Sequence, residues 1–477
     1  TMGGPVVVQG TPVQGTVFGT TDSNYNSPDQ SFVRGERQES KCRDPFFAVL
    51  FYFNIAAIII TLIIFQNDAR KVIDDTSSDG SYSGYVYVAL ICGAFSMIFS
   101  ALMVIVMMRI PSFLIKTSLI FVVLLSFVWA VFGFLTANLF MGIFGLIFFL
   151  IGVCYARAVW GRIPFATANL VTGCKAIRGN CGVIVITFFF EALAFAWTVL
   201  WCLACFAIFN RTYSCEEING KQVCTSPNYG YLFLLLLSFY FTHQVIQNTI
   251  HVIVAGTVGT WWFSPSDAGC CSLGVLGSTF RALTTSFGSI CFGSLLVALI
   301  QALRSLANEA QQNGDSGILG CIAECILACL QSIVEYFNKW AFIYVGLYGY
   351  SYLEAGKNVF VLFKNRGWDA IVADDLIGNV LFLVSLLVGV LTGVAGIVLQ
   401  STSDLMDSAP GDKVLISFLL GLIVGIVLCS IFVGSIGSAV NAVIVLFAEA
   451  PAEFEQNHPE LSSQMRAAWA DAFPGSV

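Results

Sequence analysis

The stretch THQVIQNTIHVIVAGTVGTWWF, Thr242 to Phe263, sets amides and imidazoles inside a run apolar enough to cross a bilayer. Gln244, Gln247, Asn248 and His251 recur at i, i+3, i+4 and i+7, the spacing that puts side chains on one face of a helix. Facing lipid, their donors and acceptors would go unsatisfied, so the face must look toward other helices or a water-filled cavity. Two chemistries are open to it there: hydrogen bonds that hold helices together, or the wall of a path for a polar solute.

Acidic and aromatic residues extend the set. Glu191, in VIVITFFFEALAFAWTVLW, lies well inside an apolar run with no basic residue one turn away. A lone carboxylate there must be protonated, paired across helices or turned to water, and is a functional candidate. In VEYFNKWAFIYVGLYGYSY, Glu335 and Asn338 form a second polar cluster, with Lys339 able to snorkel or pair with Glu335. Tyr336, Trp340, Tyr344 and Tyr348 repeat at spacing four on one helical face. An aromatic face near a carboxylate can hold an organic cation that lacks hydrogen-bond donors, and the same spacing also suits a plain packing stripe.

The elements that carry these residues follow from composition. The 477 residues are 57% hydrophobic and 11% charged, with mean hydropathy +0.82, far from the roughly one-quarter charged content of soluble domains. Apolar runs of about 20 residues match a hydrocarbon core of about 30 Å, and their length and continuity exclude a β-barrel. The expected fold is an all-α polytopic transmembrane bundle of about ten spans, at 46–65, 84–108, 115–135, 138–157, 183–209, 230–263, 282–303, 333–353, 376–399 and 414–448. Residues 1–44 read as a disordered tail, 45–449 as the membrane domain and 450–477 as a C-terminal tail. Residues 318–353 are too long for one simple span and call for a kink or an interfacial start. Gly389-x-x-x-Gly393 and Gly421-x-x-x-Gly425 read as seams where helices approach closely.

Lysine and arginine set the orientation. With the N-terminus inside, most fall on the cytoplasmic side, including Arg37, Lys41, Arg43, Arg109 and Lys116, while Arg70, Lys71, Arg211, Lys221, Arg304 and Lys413 fall outside. Both termini are then cytoplasmic. The loop beginning NRTYSCEEINGKQVC lies outside, where a sequon at Asn210 permits glycosylation and Cys215 with Cys224 can form a disulfide. Cys270 and Cys271 beside the membrane are weaker candidates for lipid modification.

Other function classes find little support. A net charge of −7 argues against nucleic acid. Three histidines, with no HExxH and no Walker loop, give no basis for an enzyme or a cofactor. Cys321, Cys325 and Cys329 share a helical face but lack the histidine or carboxylate partners of a metal site.

Several stretches together resemble the choline transporter-like family: KCRDPFFAVLF at the first span, GRIPFATANL after the fourth, the Thr242–Phe263 stretch, TSFGSICFGSLLVALIQALR, VEYFNKWAFIYVGLYGYSY with AGKNVFVLFKN, and FAEAPAEFEQNHPEL. The loop at 66–83 is short where animal members carry a large ectodomain. The resemblance implies a ten-span solute carrier of the plasma membrane, with internal membranes also possible, embedded in lipid and taking choline or a related organic cation. It favours a cation site built from the fifth, sixth and eighth spans, and transport that is facilitated or coupled to an ion gradient. A membrane organiser or trafficking factor, or a carrier of another solute, is the alternative.

Overall fold

The computed structural model describes residues 36–65, 83–212, 215–218, 221–224, 229–312, 317–402 and 412–472. The chain runs α1 Pro45–Ile64, α2 Ser83–Arg109, α3 Pro111–Leu135, α4 Leu139–Val159, α5 Ile163–Gly179, α6 Gly182–Thr212, a hairpin of β1 Cys215–Ile218 and β2 Lys221–Cys224, then α7 Tyr229–Phe263. It continues with α8 Leu273–Leu283, α9 Phe287–Gln312, α10 Gly317–Tyr348, α11 Tyr352–Thr402, α12 Lys413–Glu449, α13 Pro451–Asn457 and α14 Pro459–Ala472. The result is a polytopic helical bundle.

Eight helices among the described residues are long and apolar enough to cross a membrane. The sixth and eighth expected spans, α7 and α10, are also continuous helices, but they fall outside that set. The polar residues singled out in the sequence dilute their hydropathy.

Burial orders the helices from the centre outward. Val254, Ala255 and Trp262 of α7, Trp340 to Ile343 of α10 and Val443 to Leu446 of α12 are buried, and they form one continuous core. The helices α1 to α4 instead expose Phe53, Ile64, Ile98, Phe132 and Phe140, the side chains a lipid environment solvates. The helix that carries the polar stripe is therefore surrounded by protein, and α1 to α4 form the rim.

Both glycine seams meet face to face. A Cβ on Gly425 would fall 2.8 Å from the Gly389 Cα, and one on Gly421 would fall 3.0 Å from the Gly393 Cα, so α11 and α12 touch backbone to backbone. The reversal between α10 and α11 uses Gly349 at φ +77°, a left-handed conformation that side chains disfavour. It is followed by Ser351, which donates from its amide and hydroxyl to Glu354, a capping pair that holds the Glu354 carboxyl below its ordinary range.

Several expectations change. Residues 36–44 are not a loose tail: the Gln38 amide donates to the Tyr348 carbonyl at 2.8 Å, the Arg43 amide donates to the Thr285 carbonyl at 2.8 Å, and Asp44 accepts from Ser289 and from the Tyr352 amide. Residues 1–35 lie outside the description. The segment after the fourth span is the helix α5, whose Phe165, Leu170 and Cys174 are buried, with Phe165 edge-on to Trp469 of α14. The C-terminal residues likewise fold back, burying Phe454 and Met465. The 318–353 region is α10 as far as Tyr348, then the reversal at Gly349 and the start of α11, which extends the expected ninth span backward to Tyr352.

Cys270 is bonded to Cys181 and so is no free thiol for a lipid. Asn210 falls in the last turn of α6 and not in the loop, and its side chain lies outside the description. The hairpin register sets Cys215 opposite Cys224, while the disulfide expected between them rests on side chains that are not described.

Gly425→Leu should force α11 and α12 apart and cost about 1–3 kcal/mol or more. The expected outcome is a lower Tm and a lower yield of monodisperse protein in detergent. A variant as stable as wild type would contradict the close seam.

Candidate functional site

Glu191 stands nine residues into α6, about 14 Å along the helix, which puts it near the middle of a core about 30 Å thick. At that depth a partly open cavity of about 760 Å³ lies between the helices. Its lining includes Thr187 and Glu191 from α6, Gln244, Gln247, Asn248 and His251 from α7, and Gln301 from α9. From α10 come Glu335, Asn338 and Lys339, and from α12 Ser430, Ser435 and Ser438. All four residues of the polar stripe on α7 reach one wall, as a shared helical face requires.

Their roles within that wall differ. Asn248 donates to Ser294 of α9 at 2.9 Å. The His251 Nε2 lies 2.8 Å from the Lys339 carbonyl and its Nδ1 lies 2.7 Å from the Ser438 hydroxyl. A carbonyl only accepts, so in the neutral ring Nε2 carries the hydrogen and Nδ1 accepts from Ser438. Asn248 and His251 thus tie α7 to three neighbours. Gln247 is exposed to the cavity, and Glu191 has neither a hydrogen-bond nor an ion-pair partner among the described residues.

The remaining charges are committed. Glu335 accepts from Gln301 at 3.0 Å and from Gln331 at 2.8 Å. The expected alternative partner of Glu335, Lys339, instead pairs with Asp374 of α11 at 2.5 Å. With that ammonium neutralised, Glu191 and Glu335 leave the cavity lined with more negative than positive charge. Such a site attracts cations, and the apolar lining of Ile250, Val297 and Ile431 can take the carbon part of an organic one.

The aromatic stripe goes elsewhere. Trp340 and Tyr344 are buried, and Tyr336 and Trp340 pack on Phe363 of α11. The Tyr344 and Tyr348 hydroxyls each donate at 2.6 Å to the Glu449 carboxylate at the end of α12. No Phe, Tyr or Trp is among the described residues lining the cavity. Asn338 lines it but is also held, donating to the Gly293 carbonyl at 2.8 Å and accepting from the Tyr352 hydroxyl.

Gln301 and Asp374 were missed in the sequence. Gln301 is a lone amide in an apolar run and was open to the same reasoning as Glu191. Its Oε1 is buried without a hydrogen-bond partner among the described residues. Asp374 fell just before the expected ninth span and gave no sign of entering the bundle.

Lys339→Ala should leave Asp374 as an uncompensated charge. The expected loss is about 1–3 kcal/mol, below that of a fully buried pair because the Lys339 side chain is 33% exposed. Replacing both, as Lys339→Met with Asp374→Leu, should restore the thermal transition in detergent. A double variant no more stable than the weaker single one would count against the pairing.

The profile described as plasma-membrane choline transporter matches residues 143–452, which include α6, α7, α9, α10 and α12. The chain is 28% identical to Protein PNS1 of Mycosarcoma maydis over 98% of its own length and 94% of that protein. It is 30% identical to a CTL-like protein of Dictyostelium discoideum over 81% of its length and 68% of that protein's. It is 32% identical to Protein PNS1 of Cryptococcus neoformans over 80% of its length and 71% of that protein's. The chain belongs to the plasma-membrane choline transporter family, a family of multi-pass membrane transporters.

Proposed function

We propose that the protein carries choline or a related small organic cation by alternating access, either downhill or coupled to an ion gradient. One observation carries the reading: an unpartnered carboxylate, Glu191, faces a polar cavity at mid-membrane depth. In this account the cation's charge sits against Glu191, its methyl groups against Ile250, Val297 and Ile431, and its hydroxyl bonds to Gln244 or Gln247. In this reading the Glu191 carboxylate balances the charge, while Trp340 and Tyr344 stay in the packed core. The positive-inside distribution supports cytoplasmic termini, and the family name supports residence in the plasma membrane, with internal membranes also compatible.

The cost of bringing a cation to mid-membrane explains why the charge matters. A desolvated cation needs a nearby counter-charge, and the Glu191→Gln substitution keeps the shape while removing it. In proteoliposomes containing the purified protein, labelled choline should enter saturably. In Glu191→Gln, uptake per folded molecule should fall by about tenfold or more, equivalent to about 1.4 kcal/mol or more. Equal uptake by the variant would remove Glu191 from the mechanism, and no uptake by folded wild type under proton or sodium gradients would remove choline.

A further inference from the structure

A second cavity of about 420 Å³ opens where the C-terminal ends of α7 and α10, the helix α8 and the segment 36–44 meet. It is separate from the mid-membrane cavity and shares no lining residue with it. Two guanidinium groups face it, Arg37 from the N-terminal segment and Arg281 from α8. Neither forms an ion pair with any carboxylate among the described residues, although Asp267 also lines the cavity.

The surroundings hold the Arg281 guanidinium and the backbone that carries Arg37. The Arg281 guanidinium donates to the Ser278 hydroxyl at 2.9 Å, and Gly256 leaves room for it, since a Cβ there would lie 3.2 Å from the guanidinium. Arg37 is exposed, but the residues on either side are tied down: the Glu36 amide donates to the Tyr350 hydroxyl at 3.0 Å and the Gln38 amide to the Tyr348 carbonyl at 2.8 Å. Burial and the neighbouring Arg37 both act against the Arg281 charge and lower its pKa from the ordinary value. Two like charges held at one cavity are a cost unless an anion joins them. Thr260 and Ser264 add hydroxyls to the same wall.

We propose that this cavity binds a phosphate-bearing ligand, with Arg37 and Arg281 clasping the phosphate oxygens. Arginine forks match phosphate geometry and can donate two hydrogen bonds each. The bound phosphate would fasten segment 36–44 to α8 and to the ends of α7 and α10, and so would set how tightly this face of the bundle closes. Under the orientation read from lysine and arginine, the face is cytoplasmic, where both soluble phosphomonoesters and phosphorylated lipid headgroups are available.

The test is thermal unfolding of the full chain in nanodiscs. Three additions are compared at matched ionic strength: glycerol phosphate in phosphatidylcholine discs, sodium chloride in the same discs, and discs containing a phosphatidylinositol phosphate. Binding well above Kd should raise Tm by about 2–4 °C or more, and the rise should vanish in both Arg37→Gln and Arg281→Gln. Arg37 is exposed, so its substitution leaves the bundle folded even if Arg281→Gln does not. A rise with glycerol phosphate identifies a soluble ligand, and a rise only with the phosphorylated lipid identifies a headgroup. No rise with either, an equal rise with chloride, or a rise that persists in Arg37→Gln would overturn the site.

Discussion

Hydrocarbon offers no hydrogen-bond partner, and α7 carries four polar side chains on one face at membrane depth. That constraint decides where α7 must lie. A helix with Gln244, Gln247, Asn248 and His251 in a row cannot sit at the rim, so the apolar helices α1 to α4 take the rim and α7 the centre. Its neighbours then have to answer it, and Ser294, Ser438 and the Lys339 carbonyl do so. The cavity is what remains where the answers stop. Along that one face the side chains divide between neighbouring helices and the cavity. Asn248 and His251 join helices, while Gln247 looks into the cavity beside Glu191.

Charge within the bundle follows the same economy of partners. Lys339 meets Asp374, Glu335 meets two amides, and the Tyr344 and Tyr348 hydroxyls meet Glu449. Through Gln301, Asp374 and Glu449 these pairings tie α10 to α9, α11 and α12, so α10 serves as a hub while its aromatic stripe fills core. Glu191 stands apart from this pattern. A carboxylate without a partner among the described residues, where Glu335, Asp374 and Glu449 each have one, is the feature that packing does not explain.

The legible parts of the fold were those written in local period. The four residues of α7 share a face because 3.6 residues make a turn, and both glycine seams were visible as small residues four apart. The stripe Tyr336, Trp340, Tyr344 and Tyr348 was equally visible, but spacing four is the same for a ligand cage and for packing. Only the reversal at Gly349, which brings Phe363 of α11 back onto Tyr336 and Trp340, separates the two. Asp374 was hidden for a related reason: its place inside the bundle depends on the length and path of α11, which local pattern does not encode. Residues 36–44 have no apolar period at all and are held by backbone and carboxylate hydrogen bonds to distant segments.

The central claim is that a cation rests in the α6, α7, α9, α10 and α12 cavity against Glu191. The most direct measurement is an electron cryomicroscopy map of the protein in nanodiscs with saturating choline, compared with a map without it. The account predicts new density between the Glu191 carboxylate and the Gln247 side chain, absent in Glu191→Gln. Choline density among Tyr344, Tyr348 and Glu449, or an unchanged cavity in choline-saturated protein, would contradict it.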